Sequence, residues 1–76
     1  MENIKLENNV ILVEKEELKY ALDLYENEKA YQVEKDNEIK GTITVWSNGT
    51  MNYFDNEKNK DIDIKELEEV AKFFEE

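Results

Sequence analysis

The sequence predicts an α+β domain: an antiparallel sheet of three to five strands with two helices on one face, in the order β(β)-α-βββ-α. Three observations carry this expectation. Ile39, Gly41, Ile43 and Val45 alternate with Lys40, Thr42, Thr44 and Trp46, the period of two that puts successive side chains on opposite faces of a strand. Leu18, Ala21, Leu22 and Tyr25 recur at i, i+3, i+4 and i+7, the stripe of an amphipathic helix. Asp63 with Glu66 three residues on forms a capping box, ahead of a second stripe made by Ile64, Leu67, Val70, Ala71 and Phe74.

Taken in order, Ile4–Val13 reads as a short hairpin or one bent strand, with Asn8-Asn9 able to supply the positive φ angles of a tight turn. The first helix is expected from Glu14 to about Glu28. Its first turn carries Glu16 and Glu17, which suits the positive end of the helix dipole. Residues 30 to 54 read as a three-stranded meander, with turns at Asp36-Asn37-Glu38 and Ser47-Asn48-Gly49. A three-residue loop at Ser47-Asn48-Gly49 puts Ile43, Val45, Met51 and Tyr53 on one face and leaves Trp46 and Phe54 on the Thr-rich face. A two-residue loop would instead mix Trp46 with Met51 and Tyr53, so the first register is preferred. Ile62 and Leu67 are placed to staple the start of the last helix.

At 76 residues the chain forms one domain, residues 1–76, and one this small buries only a modest core. Hydrophobic residues make up 39% of it, charged residues another 39%, and there is no Cys to form a disulfide. Periodic apolar runs, with one Trp, four Tyr and three Phe, argue against disorder. Met1-Glu2-Asn3 lacks the basic start of a secretory leader, and no run approaches the ~20 apolar residues that span a bilayer. An anionic leaflet would repel this surface. The expectation is a cytoplasmic protein of a bacterial cell, without membrane contact, as a monomer or weak homodimer. All ten basic residues are Lys, and Asn, Glu and Ile are frequent, which is the bias of an AT-rich genome.

Charge and absence then narrow the function. Twenty acidic residues stand against ten basic ones, a formal net charge of −10. There is no His, Cys, Arg or Pro, and Ser47 is the sole Ser. Without His or Cys there is no ordinary nucleophile–base pair, and carboxylate pairs arise by chance in so acidic a chain. The two glycines lie in no phosphate-cradling loop. No catalysis and no cofactor are expected. Direct nucleic-acid binding is opposed because the surface repels phosphate, and no basic groove accompanies Trp46 and Tyr53 as stacking platforms.

Residues 55 to 66 place oxygen-bearing side chains at positions of an EF-hand-like loop: Asp55, Glu57, Asn59, Asp63 and Glu66. The sixth position is Lys60, where the sharp turn of such a loop needs Gly, and a strand rather than a helix precedes it. A polar loop ending in a helix cap accounts for the same residues without an ion, so no metal is expected, and a cation-binding loop protein stays a minor alternative.

What remains is recognition of a basic protein or nucleoprotein complex. An unbalanced acidic field speeds encounter with cationic surfaces, and carboxylates at suitable spacing stand in for phosphates. Acids of the first helix and of the loop before the last helix are the candidate contacts: Glu16, Glu17, Asp23, Asp55 and Asp61. Tyr20, Trp46 and Phe54 are the candidate aromatic anchors, because binding energy concentrates on Trp and Tyr more than on scattered carboxylates. In size, charge, missing catalytic residues and α-βββ-α order the chain resembles the small acidic proteins that phages make to disarm host defences, anti-CRISPR proteins and other nucleic-acid mimics. That resemblance implies an inhibitor that occupies the nucleic-acid-binding or recognition site of a nuclease complex. An immunity or antitoxin protein that neutralises a basic toxin is the alternative.

Overall fold

The computed structural model describes residues 3–75. Six strands run in simple sequence order as one open antiparallel meander: β1 (Asn3–Lys5), β2 (Val10–Glu14), β3 (Lys29–Lys35), β4 (Glu38–Val45), β5 (Met51–Asp55) and β6 (Lys60–Ile64). A single short α-helix, α1 (Glu16–Ala21), joins β2 to β3, and a 3₁₀ helix (Leu67–Phe74) ends the described chain. The protein is therefore mostly sheet. The expected α+β architecture with two helices on one face is overturned.

The turns follow the chemistry of their residues. Asn8 and Asn9, at φ 61° and 62°, make the tight turn between β1 and β2, so the first segment is a hairpin. Asp36 and Asn37, at φ 51° and 68°, do the same between β3 and β4. At Ser47-Asn48-Gly49 the Gly49 amide donates to the Trp46 carbonyl, and the Trp46 amide donates to the Thr50 carbonyl. Gly49 at φ 88° closes this three-residue loop. Its register pairs Val45 with Met51 and Ile43 with Tyr53, as the preference for a single apolar face required.

The helices depart from expectation for local reasons. Asp23 adopts φ 56° directly after α1. Its amide donates to the Tyr20 carbonyl, while the Leu24 amide donates to that of Lys19. This is a Schellman ending with Asp in the place usually taken by Gly, and it stops the helix well short of Glu28. At the other end, Lys60–Ile64 alternates polar and apolar residues, and that period-two pattern prevails over the capping box. Pairing sets Ile62 beside Tyr53 and Ile64 beside Met51, which extends the apolar face. Asp63 therefore lies within β6. Glu66 precedes the 3₁₀ helix without a side-chain cap bond, and the Glu69 carboxylate instead accepts from the Lys65 amide at 2.9 Å.

One face of the sheet carries the core. Val10, Leu12, Tyr31, Val33, Ile43, Tyr53 and Ile64 are buried there beneath Val70 and Ala71 of the 3₁₀ helix. Leu67, Val70 and Phe73 recur every three residues, the repeat of a 3₁₀ helix, so they share one line. Phe73 stacks on Tyr53 with ring centroids 5.6 Å apart, and Phe74 meets the same ring edge-on at 6.4 Å. The Asn8 side-chain amide donates to the Ala71 carbonyl at 3.0 Å. The C-terminal segment thus leaves β6, crosses the core and ties down to the β1–β2 turn.

A register shift separates Val33 from Glu34. Val33 pairs with Gly41 but Glu34 pairs with Ile39, so Lys40 is the extra residue of a bulge. The bulge turns Ile39 away from the apolar face on which simple alternation placed it, and leaves it 58% exposed.

Candidate interaction surface

The side of the sheet opposite the core carries Ile11, Val13, Ala30, Gln32, Glu34, Ile39, Thr42, Thr44, Asn52, Phe54, Asp61 and Asp63, fixed there by register; Ala30 and Thr44 are buried, and the others are half-buried or exposed. Trp46 extends this side beyond β4. Its indole N–H donates to the Asn52 side-chain oxygen at 2.8 Å, and the Asn52 amide nitrogen donates to an Asp61 carboxylate oxygen at 2.7 Å. Phe54 sits between Thr42 and Asp61 across the strands, and Asn52 between Thr44 and Asp63. The β4–β6 half of this face therefore combines two aromatic rings with two carboxylates.

A second cluster lies on α1 and the loop after it. Tyr20 and Tyr25 are 76% and 74% exposed, and Leu22 is also exposed. The stripe expected to bury this helix does not: α1 contains no buried residue, and only Leu18 of the stripe is half-buried. Glu16 and Glu17 in the first turn of α1 and Asp23 just after it are also exposed.

Glu28 links the two clusters. It is 5% exposed, and its carboxylate accepts from the Tyr25 amide at 2.8 Å and the Ser47 amide at 3.0 Å. The Tyr25 bond chiefly, then the Ser47 bond, favours the ionised form and holds this carboxyl below the ordinary Glu value. The loop bearing Tyr25 is thereby fixed to the hairpin bearing Trp46. Sequence reasoning missed Glu28 as a positioning residue, because its partners are backbone amides brought near only by the fold.

The candidate residues divide accordingly. Trp46, Phe54 and Asp61 come together on the open face. Glu16, Glu17, Tyr20 and Asp23 share the helix cluster. Asp55 belongs to neither: it is 4% exposed on the core side. One of its oxygens accepts from the Glu57 and Lys58 amides at 2.9 and 3.0 Å, and the Tyr53 hydroxyl donates to the other at 3.3 Å. Asp55 therefore shapes the β5–β6 turn and is removed from the contact set. Burial, with Asp55 second, raises the Tyr53 hydroxyl well above the ordinary phenol value.

The cation-loop alternative loses its geometry as well. Asp55 is taken up by its turn, Asn59 is a left-handed turn residue at φ 53°, and Asp63 lies on the opposite side of the sheet from Asp55. Glu57 is an exposed turn residue, and Glu66 lies beyond β6. Among the described residues no group of three or more acidic side chains is arranged to hold a metal ion.

Ion pairing is sparse. Among the described residues three pairs form, Lys29–Glu14, Lys35–Asp36 and Lys40–Glu38. None involves Glu16, Glu17, Asp23, Asp61 or Asp63. No helix among the described residues is long and apolar enough to cross a membrane. Comparison with protein-family models, curated proteins and solved structures gives no match.

Proposed function

We propose that this chain is a non-catalytic acidic protein that binds a basic protein or nucleoprotein partner and blocks its nucleic-acid-binding or recognition site. Its mode of action is that of a phage- or mobile-element-encoded inhibitor of a host defence nuclease complex, an anti-CRISPR-like protein. The observation that supports this most is the shortage of internal neutralisation: of the twenty acidic residues, the eighteen among the described residues form three ion pairs. Carboxylates left without lysine partners keep their field for a cationic surface. The exposed aromatic side chains beside them supply the apolar contact on which affinity concentrates. With the α-βββ-α order gone, the resemblance to acidic phage inhibitors rests on size, charge and missing catalytic residues.

The test is capture of partners from a low-GC bacterial lysate on the immobilised protein at low salt, followed by elution in a salt gradient. The expected partner is basic, elutes as salt rises, and is competed off by its own DNA or RNA. The double reversal Glu16→Lys with Glu17→Lys weakens its capture. A partner that is itself acidic and stays bound at high salt, or one whose nucleic acid binds alongside this protein, overturns the proposal.

A further inference from the structure

We propose that the Trp46–Phe54–Asp61–Asp63 corner of the open sheet face is an arginine-reading site, which docks a guanidinium group of the basic partner. The inference rests on the reading above and gives that partner a contact chemistry. Its first support is the fixed posture of Trp46. The indole N–H is already bound to Asn52, so the 40%-exposed ring offers a π-face rather than a donor that needs a partner. An exposed Trp held in place loses little freedom on binding and is the preferred ring for a cation.

The second support is the spacing of the acids. Asp61 and Asp63 are two residues apart on one strand and point to the same side, so their positions are roughly 7 Å apart. A guanidinium is a flat fork with two donor edges. Such a group can lie between these carboxylates, with one edge toward each and its plane against an aromatic neighbour. Asn52 holds one Asp61 oxygen at 2.7 Å and leaves the other free, while Asp63 has both oxygens available. A lysine ammonium, a compact point charge, cannot engage two separated carboxylates in this way.

The third support is charge complementarity that the chain does not satisfy itself. No lysine lies within ion-pair distance of Asp61 or Asp63. Lys60, adjacent in sequence, pairs with Asp55 in the register and so belongs to the core side. With no Arg in the chain, the guanidinium has to come from a partner.

The test uses nona-arginine and nona-lysine peptides of equal charge at low salt. Binding is followed by emission of the sole Trp and by amide chemical shifts in NMR spectra. The expected result is binding of the arginine peptide about tenfold tighter than the lysine peptide, with shift changes concentrated from Trp46 to Asp63. Asp61→Asn with Asp63→Asn lowers arginine-peptide affinity about tenfold. Glu66→Gln with Glu68→Gln, which removes the same charge from exposed positions around the 3₁₀ helix, lowers it about twofold or less. Thermal melts of both variants establish that they fold. Equal affinity for the two peptides, diffuse shifts, or equal losses in the two variants overturn the arginine site and leave the broader acidic-binder reading standing. Failure of both peptides to bind even at low salt overturns both.

Discussion

Gly41→Ala tests the packing on which the placement of the open face depends. A Cβ at Gly41 would run into the Phe54 carbonyl oxygen and lie 2.6 Å from Cε1 of Tyr53 and 3.1 Å from the Phe54 carbonyl carbon. Two of these three atoms belong to backbone fixed in the β4–β5 ladder. The third belongs to a ring pinned by Phe73 and Phe74. None can swing aside, so β5 must move by the better part of an ångström. Overpacking of a tight core costs about 1–3 kcal/mol, and a backbone collision belongs at the upper end. Elsewhere in a strand, Gly→Ala gains up to about 1 kcal/mol, because Gly loses more chain entropy on folding, so the collision decides the sign. A domain of this length has roughly 4–11 kcal/mol in total, and each kcal/mol moves Tm by about 4–8 °C. Net of that gain the loss is about 2–3 kcal/mol, so the expected outcome is a Tm about 8–24 °C lower, with a matching fall in the urea midpoint and an unchanged slope. A Gly41→Ala protein as stable as the original would refute the close approach of β4 to Tyr53, and with it the bulge-defined register.

The pH response of two buried groups gives further tests. Glu28 has a lowered value in the folded state, so the stability it supplies is present above the ordinary Glu value near 4.5 and is lost as pH falls through the folded one. A pH series of melts should show that loss, and Glu28→Gln should be less stable at pH 7 with a flatter acid limb; identical acid limbs would count against the clip. Tyr53 has a raised value, so its contribution is whole below the ordinary phenol value of 10 and fades as pH climbs toward the folded one. Tyr53→Phe should flatten the alkaline limb of the stability profile, and an unaltered limb would remove the buried hydroxyl as its cause. Raising salt from low to physiological concentration should raise the Tm of the free protein while weakening its binding to a basic partner; a Tm that falls over that range would mean that attraction, not repulsion, dominates the surface.

Much of the sheet could be read from the chain, because its signals are local and agree with one another. Asn8-Asn9, Asp36-Asn37 and Ser47-Asn48-Gly49 each carry turn chemistry between alternating runs, and the apolar register of Ile43, Val45, Met51 and Tyr53 admits one economical pairing. The helices could not be read to their ends. Leu18 to Tyr25 has a helical stripe, but Asp23 tolerates the left-handed conformation well enough to stop α1, with Leu24 tucking behind it. Residues 60 to 64 carry two valid patterns at once. The choice between strand and capped helix was made by Tyr53 and Met51, whose faces needed Ile62 and Ile64 and lie outside any local window. The bulge at Lys40 was hidden for the same reason: nothing in Ile39-Lys40-Gly41 announces that Ile39 leaves the apolar face. The candidate contact residues were legible by type, as acids and aromatics. Their grouping, and the loss of Asp55 to a turn, depended on tertiary register.

The arrangement also separates two uses of acid that composition blurs. Asp55, Glu28 and Glu69 each accept backbone amide protons, and such carboxylates would be needed in a neutral protein of this fold. Asp61, Asp63, Glu16, Glu17 and Asp23 have no such backbone role and no lysine within ion-pair reach. Concentrated like charge works against a compact state, and a domain this small has little stability to spare. Solubility alone would be met by acids spread among lysines, at less electrostatic cost. Acids without an internal role, next to rings that remain exposed after the core has closed, are what a surface needs when its counter-charge arrives on another molecule. On the function proposed above, binding would complete the open face, and Trp46, fixed by Asn52, is where that binding would be observed.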